Sequence, residues 1–412
     1  MGRVGGGAAV SMVIAWLASG CGTEPATLGD STALPNDTAT SQVDAATQAF
    51  VGFLDIHGRA TDPAVRDLYY AYYDRDTEVP WFISTMISAE AVRFFLRLNR
   101  PADAARTAQA LLAWQHDGAG DLGERLAGAF PSEVTQTNSG AYVANYLYDS
   151  GDNLAVMDAL LEMYETTGDA QYLEAAHTTG RWLRDVMSHG ERYSVWSEPH
   201  HVPMKAVTDQ GAFDNRIAVG RLLFWLPVLT RLAAHTGDIS FADLANTSYA
   251  FLAQGQTASG AYYDHYDPGY PAQAFNVANF HAYADPNLVV ADDSLRAALG
   301  IAQNDAYAAN LFWNWLAHDV PGISGYLDLR TGQAPAADIA TPSYDVISTM
   351  LLQQLATKLG QAAPDANAFL QAAQHANGGF AWGLDPTTQQ PLDNTQSTLT
   401  GFWVLADMLT PR

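Results

Sequence analysis

Two aspartates stand side by side at Asp292 and Asp293, where a polar loop gives way to the helical pattern ADDSLRAALGIA. One helix start needs a single cap, so the second carboxylate is left over for chemistry. Like charges this close raise one of the two pKa values, so one side-chain type can serve as both acid and base. A helix N-terminus acts in the opposite sense and favours the charged form. The pair is therefore expected to work as a base, a nucleophile or a stabiliser of a cationic transition state rather than as an acid. Cleavage of a glycosidic bond needs a second carboxyl at a defined separation. Asp149, Asp152, Asp214 and Glu198 are the candidates for that partner.

Similar pairs precede other apolar-periodic segments: Asp152-Asn153, Asp214-Asn215, Tyr344-Asp345 and Asp393-Asn394. Taken singly, each reads as a helix cap. Converging on one concavity, Asn153, Asn215, Tyr344, Asp345, Asp393 and Asn394 would suit a ligand rich in hydroxyls. Tyr148, Trp196 and Tyr263 lie in aromatic loops and could stack on sugar rings. The loops Glu198-Pro199-His200-His201 and His281-Ala282-Tyr283 support a competing chemistry. A His and a Tyr can remove the proton α to a uronate and protonate the leaving oxygen, as β-elimination requires. His201, His281 and Glu198 are thus substrate-contact candidates in either scheme. No HExxH or comparable ligand spacing appears, so no cofactor is expected; clustered aspartates leave calcium as the one cation to consider.

These residues must be positioned by helices. Apolar periodicity runs from Gln42 to His57, with Val43, Ala46, Phe50, Val51 and Leu54 on one stripe. Further on, Thr167-Gly168-Asp169 with Tyr172 matches Thr236-Gly237-Asp238 with Phe241, and Asn304-Asp305 with Tyr307 is a looser copy. Each is a tight turn that feeds an Asp into the start of a helix. Gln256-x-x-x-Gly260-x-Tyr262 and Gln374-x-x-x-Gly378-x-Phe380 share a second spacing, with Gly325-Tyr326 a partial match. One set of helices is expected near Ser84, Asp152, Asp214, Asp292, Tyr344 and Asp393. Its partners are expected near Pro101, Asp169, Asp238, Asn304 and Pro364, and the Gln42 helix supplies the sixth.

The TGDxxYLExA turns and this paired count resemble the six-hairpin carbohydrate-active enzymes, which include glycoside hydrolases, polysaccharide lyases and sugar epimerases. The Gln-x-x-x-Gly-x-aromatic turns are similar to the QW-type repeats of terpenoid-cyclase toroids. The resemblance implies an all-α fold, an (α/α)6 toroid of six helical hairpins with long loops on one rim, spanning residues 42–412. It also implies a carbohydrate substrate. In α-1,6-mannanase-type members an Asp-Asp pair is catalytic, which the resemblance carries to Asp292 and Asp293, although here the pair sits later in the chain.

The N-terminal segment 1–20 reads as a signal peptide: Arg3, then an apolar run from Ala8 to Leu17 too short to span a membrane as a mature helix. Leu17-Ala18-Ser19-Gly20-Cys21 resembles a bacterial lipobox, with Ala18 where Leu is commoner, so Cys21 is expected to carry lipid. Residues 21–41 then form a Thr-, Ser- and Pro-rich tether. Cys21 is the only cysteine in the chain, which excludes an internal disulfide, a thiolate nucleophile elsewhere and Cys-ligated zinc. Acidic residues outnumber basic ones 44 to 20, a net charge of −24 that speaks against nucleic acid or an anionic membrane surface as the main partner. The combined expectation is an exported, lipid-anchored, monomeric glycoside hydrolase acting on a neutral glycan. The alternatives are a polysaccharide lyase and a glycan-binding protein without catalysis.

Overall fold

The computed structural model describes residues 36–145, 147–188, 201–269, 275–282, 286–316, 323–332, 344–362, 371–392 and 394–409. Its main helices are α1 (Asn36–Phe53), α2 (Thr85–Arg97), α3 (Pro101–Leu112), α4 (Ser150–Thr167), α5 (Ala170–Trp182), α6 (Val219–Trp225) continued by α7 (Pro227–Thr236), α8 (Ser240–Leu252), α9 (Ala291–Ala302), α10 (Ala306–Trp315), α11 (Val346–Leu359) and α12 (Thr398–Leu409). In α4 every residue from Ser150 to Leu161 is buried, so it presents apolar surface all round, as a helix enclosed by others must. The inner ring runs α2, α4, α6/α7, α9, α11, α12 and back to α2, each packed on the next. The outer helices α3, α5, α8 and α10 pair with the inner helix before them, and α1 packs on α12. This is the toroid of helical hairpins. The outer helix expected near Pro364 lies outside the described residues.

Turn chemistry accounts for the hairpins. Gly168 and Gly237 end their helices with φ of 72° and 74°, in the left-handed region that a side chain resists. Asp169 and Asp305 then cap α5 and α10, accepting from Gln171 N and Ala308 N. The ring closes through aromatic packing: the Phe50 ring of α1 meets Phe94 of α2, Phe402 of α12 and Phe380 edge-on, with centroids 5.3–5.7 Å apart. Helix α1 begins at Asn36, earlier than the Gln42 boundary read from periodicity.

The Gln…Gly turns join neighbouring outer helices. Gln256 Nε2 donates to Gly260 O at 2.9 Å and to Ala308 O of α10 at 2.8 Å. Gln374 Nε2 donates to Gly378 O and, at 2.8 Å, to Ala46 O of α1, across the ring closure. A methyl group on Gly378 would lie 2.0 Å from Ala49 O, and its φ is +93°, so only glycine permits the approach. Gln115 and Gly128 repeat the join over a longer spacing, with Gln115 Nε2 reaching Ala175 O of α5 at 2.9 Å. Gly325 takes no part in such a turn.

Each inner helix is led in by a short strand, which helical periodicity did not disclose. Ile83–Ser84, Leu147–Asp149, Ile217–Ala218, Leu288–Val290, Tyr344–Asp345 and Thr395–Ser397 each pair antiparallel with a strand of the following loop, and the last pairs with Tyr72–Asp74 of the first loop. The small sheets therefore circulate with the helices and close where they close. Their insertion moves two expected helix starts: α6 begins at Val219 rather than Asp214, and α12 at Thr398 rather than Asp393.

Candidate active site

The lead-in strands bring six helix N-termini to one end of the ring, around a cavity of about 920 Å³. Its wall repeats sixfold. The residue before each inner helix lines it: Ser84, Asp149, Ala218, Val290, Asp345 and Ser397. The third residue of each inner helix lines it too: Ile87, Asp152, Arg221, Asp293, Ser348 and Thr400. Positions three apart share a helix face, so the two sets form stacked rings. Charge is confined to one arc of the lower ring, where Asp152, Arg221 and Asp293 stand on consecutive helices.

Arg221 Nη1 lies 3.5 Å from Asp152 Oδ1, and its Nε lies 3.9 Å from Asp293 Oδ1. Asp292 pairs with Arg296 at 3.0 Å. The Arg296 side chain, 5% exposed, lines the cavity with its guanidinium 4.4 Å over the Trp403 ring and 5.9 Å from that of Phe224. Burial and then the neighbouring Asp292 push Asp293 up to about 6, against the pull of Arg221 and Arg296. Burial and then Asp152 push Asp149 up to about 6, and burial and then Asp292 do the same for Asp345. The three are otherwise unlike. Asp149 is an N-cap, accepting from Gly151 N at 2.8 Å and Asp152 N at 3.3 Å. Asp345 caps α11 through Ser348 N at 2.6 Å. Asp293 caps nothing, and its buried Oδ1 accepts no hydrogen bond.

This reverses the expectation that a carboxylate at this helix start would favour its charged form. Burial and the charge of Asp292 outweigh the helix dipole at Asp293, leaving a protonatable acid beside an ion-paired carboxylate.

Of the other sequence candidates, the structure gathers Asp149, Asp152, Asp292, Asp293 and Asp345 and disperses the rest. Asp214 stands on a strand outside the cavity; against its own burial, Arg216 at 2.7 Å and Lys205 hold it below the usual carboxylate range. Asn215 donates to Gly269 O. Asn153 is fully buried, its amide bonded to Phe130 O, Phe130 N and Asp149 O, so no polar group remains for a ligand. Tyr148 is buried on the strand face opposite Leu147 and Asp149, because strand neighbours alternate. Tyr263, His281, His201 and Tyr344 do not line the cavity, and Asn394 is exposed, bonded to Asp76. Trp196, Glu198, Asp393 and Cys21 lie outside the described residues.

Sequence reading passed over Glu133, Arg221, Arg296 and Tyr326. Glu133 enters on the strand paired with Ile83–Ser84, and burial raises it against a hydrogen bond from Asn145. Arg221 is the counterpart of Asp152 and Asp293 only once the lead-in strand moves the start of α6 from Asp214 to Val219. Five aromatic residues complete the wall: Tyr72, Phe82, Trp81, Tyr326 and Trp382, the last three 46%, 41% and 37% exposed. They arise from the loops following α10, the α11 hairpin and α12's partner α1, so one side of the mouth is aromatic and the other polar.

No family model and no curated protein matches the sequence. Solved structures match it closely in shape. An α-amylase from Clostridium perfringens aligns with a TM-score of 0.65 at 11% identity, over 91% of this chain and 99% of its own. A cellobiose 2-epimerase from Bacillus thermoamylovorans gives 0.60 at 11% identity, over 89% and 99%. A family 76 glycoside hydrolase from a bovine Bacteroides thetaiotaomicron strain gives 0.58 at 13% identity, over 90% and 77%. By fold, residues 36–409 are a six-hairpin α/α toroid.

Proposed function

We propose that the protein is a glycoside hydrolase acting on a neutral poly- or oligosaccharide in this cavity, exported and held at a membrane by lipid on Cys21. The observation that carries the reading is Asp293. It is buried and held protonated up to about pH 6, it does not cap its helix, and it stands beside the Arg296-paired Asp292. In the proposed reaction Asp293 gives its proton to the departing glycosidic oxygen as the C–O bond breaks. Asp292, paired with Arg296, stabilises the positive anomeric carbon; water then attacks that carbon and gives its proton to the Asp293 carboxylate, which restores the acid. The exposed aromatic side of the mouth suits the apolar faces of sugar rings. The fold neighbours, whose names include an α-amylase and a glycoside hydrolase, are in keeping with such a substrate.

Neutrality follows from the cations. Arg221 is shared by Asp152 and Asp293, Arg296 is held by Asp292, and Lys205 lies 3.9 Å from Asp214, so a uronate would meet excess negative charge. The lyase reading has less support, since His201 and His281 stand away from the cavity. The test is a panel of neutral and uronate polysaccharides followed by reducing-sugar release and by unsaturated-uronate absorbance. Reducing ends from a neutral glycan, lost in Asp293→Asn, support hydrolysis. Unsaturated products would replace it with elimination, and binding without turnover would leave a glycan-binding protein. Metabolic lipid labelling that survives in Cys21→Ser would refute the anchor.

A further inference from the structure

The arrangement of the third helix residues has a cause in the second ones. In α4 and α6 the second residue is glycine, Gly151 and Gly220. A methyl group on Gly220 would lie 2.0 Å from the backbone oxygen of Asp293, and one on Gly151 would lie 3.1 Å from Cβ of Arg221. These two glycines let the first turns of α4, α6 and α9 close on one another, and the close approach sets Arg221 between the carboxylates. Arg221 Nη1 donates a long hydrogen bond to Asp152 Oδ1 at 3.5 Å, its Nε stays 3.9 Å from Asp293 Oδ1, beyond hydrogen-bond reach, and its side chain is 42% exposed. The guanidinium is therefore shared unevenly by carboxylates of two helices, at a place where all three side chains line the cavity.

Resting on the hydrolase reading above, we propose that Arg221 is a positioning residue, which spans Asp152 and Asp293 and fixes the orientation and charge in which Asp293 faces a glycan. It touches neither scissile atoms nor a cofactor in this scheme; it acts through Asp293. The charged groups that act on Asp293 are Asp292 and Arg296 on its own helix, Arg221 from α6 and Asp149 before α4; Asp152 meets it through the shared Arg221, and Asp345 before α11 acts on Asp292 and Arg296. Arg221 is the cation contributed from a neighbouring helix, so its removal and the removal of Asp152 should act on Asp293 in opposite directions. Loss of the guanidinium leaves the carboxylates to repel and makes Asp293 keep its proton. Loss of the Asp152 charge leaves Arg221 to Asp293 alone and makes it release its proton sooner.

The experiment is a pH titration of aspartate carboxyl carbons in 13C-labelled full-length protein, with the Asp293 resonance assigned by its absence in Asp293→Asn. Arg221→Gln should raise the Asp293 midpoint by about one unit or more, Asp152→Asn should lower it, and Arg221→Lys should fall between wild type and Arg221→Gln. On a substrate that is turned over, the alkaline limb of kcat/KM should move with the midpoint. An Asp293 midpoint unmoved in Arg221→Lys and Asp152→Asn overturns the proposal, even if Arg221→Gln fails to fold. The titration needs no turnover, so absence of hydrolysis would remove the hydrolase reading while still deciding the role of Arg221.

Discussion

At the third residue of α4 and α9, two carboxylates share one guanidinium at 3.5 and 3.9 Å; two turns deeper on the same ring, three carboxylates crowd another guanidinium at 3.2 Å each. The deeper cation is Arg93 of α2, set against Glu90, Asp158 and Glu162 and stacked 5.4 Å over the Trp225 ring. Arg231 also reaches Asp158, and lies 3.0 Å from Glu165. Although its burial opposes it, the surrounding carboxylates raise Arg93 further above its ordinary value. Both clusters use α4 and the α6/α7 arm, the upper one joining them to α9 and the deeper one to α2. The deeper one is closed by short contacts on every side, whereas the upper one is loosely paired and opens on a cavity with Asp293 Oδ1 accepting no hydrogen bond. Closed ion pairs hold helices in register, and a loosely paired carboxylate with an unbonded oxygen in a cavity marks chemistry.

The largest expected effect separates the two levels by activity. Asp293→Asn should lower kcat/KM on the responsive glycan by about 100-fold or more, the range a general acid supplies, with the circular dichroism spectrum unchanged. Arg93→Met should leave kcat within a factor of about two but cost roughly 3–5 kcal/mol in a denaturant titration, since it strands buried carboxylates. Equal loss of activity in both variants would dissolve the contrast.

A pH series sharpens it. Asp293 titrates near 6 in the folded chain against an ordinary 3.8, so between these values the native state binds the extra proton. The stability this contributes is fully present below about pH 4 and lost as pH rises through about 6. Asp293→Asn should therefore gain on wild type by roughly 1–3 kcal/mol between pH 4 and 7, read from thermal melts at each pH; a constant difference would place Asp293 in an ordinary solvated setting. The smallest effect lies outside both clusters. Gln256→Ala removes one hydrogen bond within its turn and one to the neighbouring outer helix, and should cost about 1–2 kcal/mol at every pH.

Much of the architecture was legible because it repeats locally. A Thr-Gly-Asp turn needs a left-handed residue and then an N-cap, and both demands are written within three positions. The Gln…Gly turns were legible as a spacing, although only contact between neighbouring outer helices gives them a reason. The candidate site was legible in part. Asp152, Asp292, Asp293 and Asp345 stand out as acids at helix starts, yet so did Asp214, and the amides Asn215 and Asn153 stood beside them. What separates them is strand insertion and side-chain direction: four residues of chain between Asp214 and α6 carry that acid onto a separate sheet, and Asn153 turns one position away from the cavity face.

The sequence by itself determined the alternation of helices, their caps and turns, and the excess of acid, because these depend on residues a few positions apart. Which acids meet, and which of them keeps a proton, was decided only by tertiary structure. Six helix starts must converge before their third residues form one ring, and only then do burial and the neighbouring charges of Asp292, Arg221 and Arg296 act together on Asp293.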